Sequence, residues 1–205
     1  MRYLPLISCL LLTACTSPYK KLQAVPGDPD CIQRLKPVFR TDWYTTHVDA
    51  PGKQLSGLLL IKAMPDSSTR IVFTSETGLT FFDFVFLPDT GFRVNYIIPQ
   101  MNKNAVITTL KKDFELILWR NTHASRARVL SDGKQHYYGF PQESGMNYYV
   151  TDSNCTELLR IEKASSRKPL SEVILQHYHE GIPDTIGITH HHIVHFSIAL
   201  KRLEK

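Results

Sequence analysis

Paired histidines, spare cysteines and one carboxylate among phenylalanines are the residues of this sequence whose types and spacing invite chemistry. His177 and His179 stand two apart, as do His190 and His192, with His191 and His195 close by. Residues i and i+2 of a strand share a face, so each pair would present two imidazoles side by side. Were the two strand ends to meet, the four rings would form a surface site suited to zinc or nickel. No cysteine or carboxylate stands at ligand spacing beside them. Solvated polar strand ends are therefore the favoured reading, and neither a metal nor any other cofactor is expected. Asp83 lies within Phe81-Phe82-Asp83-Phe84. A carboxyl raised in pKa by apolar neighbours is one reading of it; a paired or solvent-facing carboxylate is the favoured one. The sequence has no Gly-x-Ser-x-Gly, no phosphate-cradling loop, no His-Glu-x-x-His and no dinucleotide fingerprint. Ser144-Gly145 lacks the preceding glycine that a nucleophile elbow needs. Catalysis is not expected.

The four cysteines sort by position. Cys15 closes Leu12-Thr13-Ala14-Cys15, after a start in which Arg2 is the one charged residue among the first fourteen. A basic residue followed by about ten apolar ones reads as a secretory signal, too short for the roughly 20 residues of a membrane span. Its end resembles the bacterial lipobox, whose cysteine is acylated on sulfur and becomes the new N-terminus. Cys15 is then the lipid attachment site, and two or three acyl chains would hold the protein stably on a membrane. Thr16 is not the aspartate that marks inner-membrane retention, so the resemblance implies the outer membrane, facing the periplasm. The expected divisions are a signal at residues 1–14, a lipidated tether at 15–27 and one folded domain at 28–205. Cys9 leaves with the signal. Cys31 and Cys155 remain, either bridged, as secretion permits, or as two buried thiols.

With 205 residues, 42% hydrophobic and 21% charged, the bulk of the chain is too apolar for disorder. A net charge of +5 without a long run of like charges gives no reason to expect a nucleic-acid partner. Asp28-Pro29-Asp30 starts a helix that carries Ile32, Leu35 and Phe39 on one stripe. Short β-like runs at 58–63, 70–75, 79–87 and 92–98, parted by turn residues, describe an antiparallel meander. Phe82, Phe84 and Phe86 fall on one face of the third run, and Phe81, Val85 and Leu87 on the other; Phe92, Val94 and Tyr96 share a face of the fourth. Residues 102–120 read as an amphipathic helix with Ile107, Leu110, Phe114, Ile117 and Leu118 on its stripe and Asn102 as N-cap. Runs at 126–131, 136–140, 147–151, 157–163, 170–178, 185–189 and 193–202 bring the count to eleven strands. The expected fold is mainly β: one large, curved antiparallel sheet covered by an N-terminal and a central helix.

The stretch Ile182-Pro183-Asp184-Thr185-Ile186-Gly187-Ile188-Thr189, followed by alternating Val194, Phe196, Ile198 and Leu200, resembles the last hairpin of the LolA/LolB family, and of its outer-membrane receptor branch, LolB, in particular. The order of elements is similar too: lipobox, short N-terminal helix, four-strand meander, central helix, second set of strands. The resemblance implies an unclosed half-barrel capped by helices, with an apolar cavity for acyl chains of a lipid or lipoprotein. Phe82, Phe84, Phe86, Phe92, Val94, Tyr96, Val194, Phe196 and Ile198 would line it. Leu87 beside Pro88 is the nearest counterpart of the apolar loop residue with which that receptor delivers cargo. Two alternatives stay open. The apolar faces are covered by the helices as a packed core, or the protein is an accessory lipoprotein that docks on an outer-membrane assembly.

Overall fold

The computed structural model describes residues 17–193 and 196–203. The expected signal, the acylated Cys15, Val194 and His195 fall outside the described residues.

Alternating apolar and polar residues build one antiparallel sheet in two meanders. The first runs through β2 (Thr41–Ala50), β3 (Lys53–Ala63), β4 (Thr69–Thr74), β5 (Thr80–Phe86) and β6 (Phe92–Ile97). The helix α1 (Asn104–Ile117) then crosses the inner face of the sheet. The second meander is β7 (Arg128–Ser131), β8 (Gln135–Pro141), β9 (Met146–Asp152), β10 (Leu158–Ala164), β11 (Pro169–His179), β12 (Ile182–His190) and β13 (Ser197–Arg202). A two-residue strand, β1 (Gln23–Ala24), adds to β7. The order is β1-β7-β8-β9-β10-β11-β12-β13-β2-β3-β4-β5-β6, so the β13–β2 ladder joins the two meanders. β1 and β6 are left as free edges of an unclosed sheet.

Thirteen strands replace the expected eleven. β2 was hidden because its inner face opens with Asp42, Tyr44 and Thr46, all three buried, and turns aliphatic only at Val48 and Ala50. β1 has no periodicity of its own, being held by its pairing with Leu130 and Ser131. The N-terminal helix is a 3₁₀ turn, Pro29–Leu35, started by the Asp28 carboxylate, which accepts from the Asp30 amide at 2.9 Å. Pro37 follows closely and would break a longer helix. The N-cap of α1 is Lys103, with no side-chain cap, rather than Asn102.

The stretch read as a tether lies along the sheet. Pro18–Lys21 form a 3₁₀ turn in which Tyr19 stacks on Tyr148 at 4.8 Å and donates its hydroxyl to Glu162 Oε2 at 2.6 Å. Leu22 packs with Tyr137, Tyr148 and Val150 in a small cluster apart from the main core. Cys31 and Cys155 are bridged in the structure, tying the 3₁₀ turn to the loop between β9 and β10.

Candidate apolar binding site

The inner face divides along α1 into a filled end and a hollow end. Toward the C-terminus of the helix, Phe84 and Phe86 are fully buried against Phe92 and Phe114, with ring centroids 5.2 to 6.4 Å apart. Toward its N-terminus the helix presents Ala105, Val106 and Thr109 to Thr46, Val48, Ala50 and Leu55 of the β2–β3 hairpin. These short side chains do not span the gap between helix and sheet. An apolar cavity of about 380 Å³ remains, walled also by Leu59, Phe73, Phe82, Leu110, Phe114, Phe196 and Ile198. That volume lies within the roughly 300–1,000 Å³ of small-molecule sites, and the lining is of the same apolar kind. The polar groups at its rim include the exposed Lys53, Gln100 and Lys103.

Of the residues expected to line a cavity, Phe82, Phe196 and Ile198 do so. Phe84, Phe86, Phe92 and Val94 belong to the packed core instead. Tyr96 faces the other way, and the cause is a bulge. Phe84 pairs with Val94 but Asp83 pairs with Tyr96, so Asn95 is an extra residue that reverses the face of the next side chains along the strand. Tyr96 is 46% exposed, beside Asp83 on the outer face. Asp83 itself receives a two-pronged ion pair from Arg70, Nε to Oδ1 at 2.9 Å and Nη2 to Oδ2 at 2.6 Å, with Asn95 completing the cluster at 3.4 Å. A second bulge, at Phe81, turns that ring inward, where its centroid lies 4.8 Å from that of Phe73. The two bulges account for a strand that reads as apolar on both faces: most of its rings end up inside.

The histidines do not converge. His177 and His179 stand near the β11–β12 turn, where His179 pairs with Asp184. His190 and His192 stand at the far end of the same ladder, roughly 25 Å away at about 3.3 Å per residue. Among the described residues no group of three or more His, Cys, Asp or Glu is placed to hold a metal. His192 is exposed and bonds the Leu170 carbonyl at 3.0 Å. His190 is the exception. It points inward with Ile186 and Ile188, and its Nε2 lies 2.9 Å from Asp113 Oδ2 of α1, both side chains at most 2% exposed. Burial pushes the Asp113 carboxyl above its ordinary range, opposed by the hydrogen bond and charge of His190. Asp113 Oδ1, His190 Nδ1 and the Oγ of neighbouring Ser171 have no partner among the described residues. The His190 ring also packs edge-on to Phe196 at 4.7 Å, so this polar clamp adjoins the cavity wall and fixes the helix above it.

On the other flank of α1, a cleft of about 410 Å³ is lined by charges of both signs, among them Lys111, Lys112, Glu115, Arg126, Glu143 and Lys163. The helix therefore separates an apolar hollow from a polar one.

The fold is similar to that of solved structures. A LolA superfamily protein from Nitrosomonas europaea superposes with a TM-score of 0.50 over 88% of this chain and 93% of that one, at 9% identity. A domain classed as an outer membrane lipoprotein-sorting protein from Vibrio parahaemolyticus gives 0.46 over 86% and 90%, at 11% identity. A DUF1329 family protein from Desulfovibrio piger gives 0.44 over 92% of each chain, also at 11%. No family model matches the sequence, and no curated protein does. The fold is LolA-like; the LolB branch is not distinguished.

Proposed function

We propose that this protein is an acyl-binding lipoprotein of the bacterial envelope, taking an apolar chain into the hollow between α1 and the sheet. The observation that carries the reading is the cavity of about 380 Å³, whose walls are mainly aliphatic and aromatic and whose charged groups, Lys53 and Lys103, are exposed at its rim. Each methylene transferred from water into such a site contributes about 0.8 kcal/mol. A long chain could therefore be held by burial alone, with no covalent step. The LolA-like fold supports this reading, and so does the Leu-Thr-Ala-Cys sequence that would place an acyl anchor on Cys15. Anchored there, the protein would work at the outer membrane facing the periplasm. Among the described residues no helix is long and apolar enough to cross a bilayer, so the anchor would supply the attachment.

The test is mass spectrometry of the Cys15→Ser chain purified from cells without detergent, with organic extraction of whatever it carries. Co-purifying acyl lipid that fades when Val48 is replaced by Phe supports the reading. Protein that stays empty, and takes up neither a long-chain fatty acid nor the corresponding alcohol when offered, overturns it. A stoichiometric membrane-protein partner recovered with such empty protein would favour the accessory role instead.

A further inference from the structure

We infer that the cavity takes a single acyl chain bearing an anionic head group, rather than the several chains of a lipoprotein or a two-chain lipid. The inference rests on the acyl-binding reading and adds stoichiometry and charge to it.

Stoichiometry comes from volume. A dry cavity of about 150 Å³ accommodates benzene, which is on the order of 25 Å³ per carbon. By that measure the 380 Å³ here accommodates on the order of fifteen carbons, the size of one acyl chain. Enlargement is resisted on the sides where the walls are fixed. Phe82 and Phe114 are fully packed behind the cavity, and the Asp113–His190 pair clamps the helix to β12. Interiors at crystal-like density yield a second chain's worth of space only by repacking.

Charge comes from the rim. Lys53 is the first residue of β3 and Lys103 the residue preceding α1, so two different elements place exposed lysines on the lining of the same apolar hollow. Both are exposed, and neither has a carboxylate within 4.0 Å among the described residues. Lys103 also caps α1 without a side-chain acceptor, and the first turn holds no acidic residue, so the helix end adds to the positive field rather than offsetting it. Among the described residues no acidic side chain lines the cavity. An amphiphile seated with its chain among Val48, Leu55 and Phe82 would place its head between these lysines. A carboxylate or a phosphate satisfies that geometry equally, so the ligand is a fatty acid or a single-chain phospholipid.

Competition against a fluorescent fatty-acid probe at low salt tests the inference on the Cys15→Ser chain. The competitors are hexadecanoate, hexadecan-1-ol, lysophosphatidylglycerol, lysophosphatidylcholine and a triacylated lipopeptide. Hexadecanoate is expected to bind roughly fivefold or more tightly than the alcohol, as two exposed charge contacts allow. Lysophosphatidylglycerol should exceed lysophosphatidylcholine similarly, and its rank against hexadecanoate tells a lipid head group from a free acid. The Lys53→Gln/Lys103→Gln variant should lose both preferences while binding the alcohol as before. Equal binding of charged and neutral chains, or preferences that survive that variant, would overturn the charge assignment. A lipopeptide that binds more tightly than hexadecanoate would overturn the stoichiometry. If no competitor and no probe binds, the acyl-binding reading itself fails.

Discussion

At the scale of single residues, His190 shows what sequence periodicity carries and where it stops. The sequence favours a solvated strand end, yet His190 continues the alternation of Ile186 and Ile188 onto the inner face. Its partner was legible only as an anomaly, since Asp113 sits three residues after Leu110 and beside Phe114, on the apolar stripe of α1. That the two meet depends on a helix and strand 77 residues apart, which no local pattern encodes. Removing one member of such a pair leaves the other buried without a counterpart. His190→Ala should therefore cost on the order of 3 kcal/mol in urea denaturation, whereas Asp113→Leu combined with His190→Phe should cost less than either truncation. The pH dependence has a definite sign. Because burial raises the Asp113 pKa from its ordinary 3.8, the folded protein holds this proton more tightly than the unfolded chain does. The associated stability is fully present below pH 3.8 and is lost as pH rises through the higher, folded value. The stability of the natural protein relative to Asp113→Asn should accordingly fall as pH is raised from about 4; a gap that widens with pH would mean that pairing to His190, not burial, dominates.

At the scale of elements, the meanders were readable from turn residues and alternation, and α1 from its stripe, but the hollow beneath α1 was not. Whether a helix and a sheet meet or leave a gap is decided by the summed volumes of residues far apart in sequence. Here Ala105 and Thr109 face Val48 and Ala50, while Phe114 faces Phe82 and Phe86. The bulge at Asn95 was equally invisible, because one extra residue leaves composition unchanged yet reverses Tyr96. The gap can be closed by design. Val106→Phe should fill the cavity, weaken fatty-acid binding on the order of tenfold or more, and change stability by less than about 1.5 kcal/mol, since it occupies a void instead of crowding a packed site. Equilibrium binding and urea midpoints on the same samples check both halves. The bridge between Cys31 and Cys155 spans 124 residues, and the chain-entropy estimate for so long a loop is about 5 kcal/mol. Replacing both by serine should lower stability by up to that amount while leaving the cavity, which neither cysteine touches, able to bind.

At the scale of the whole molecule, the N-terminal segment determines how the domain would stand on a membrane. A free stretch from 15 to 27 would let the body move well away from its anchor. The structure instead holds the chain against the sheet from the turn at Pro18, through the Tyr19 stack, the Tyr19–Glu162 hydrogen bond and the β1–β7 pairing. Arg160 extends the contact, donating to Glu162 at 2.6 Å, to Gln135 at 2.9 Å and to the Tyr137 hydroxyl at 3.1 Å. With an acyl group on Cys15, Thr16 and Ser17 alone would part the lipid from this docked segment. The body would then rest on the bilayer, with the β8–β10 side nearest the anchor. Composition hid this, because Ser17, Pro18, Pro26 and Gly27 are linker residues by type, while Tyr19 and Leu22 do the docking. Trypsin provides the check through Lys20 and Lys21, which lie inside the docked turn. In the Cys15→Ser chain these sites should resist cleavage, and Tyr19→Ala should speed their cleavage on the order of tenfold, equivalent to about 1.4 kcal/mol of lost docking energy. Glu162→Gln should have a smaller effect, since the stack and the strand pairing persist without the charged acceptor. Rapid cleavage at Lys20 or Lys21 in the unsubstituted segment would show that the segment is a free tether after all, and the close seating of the domain on the membrane would fall with it.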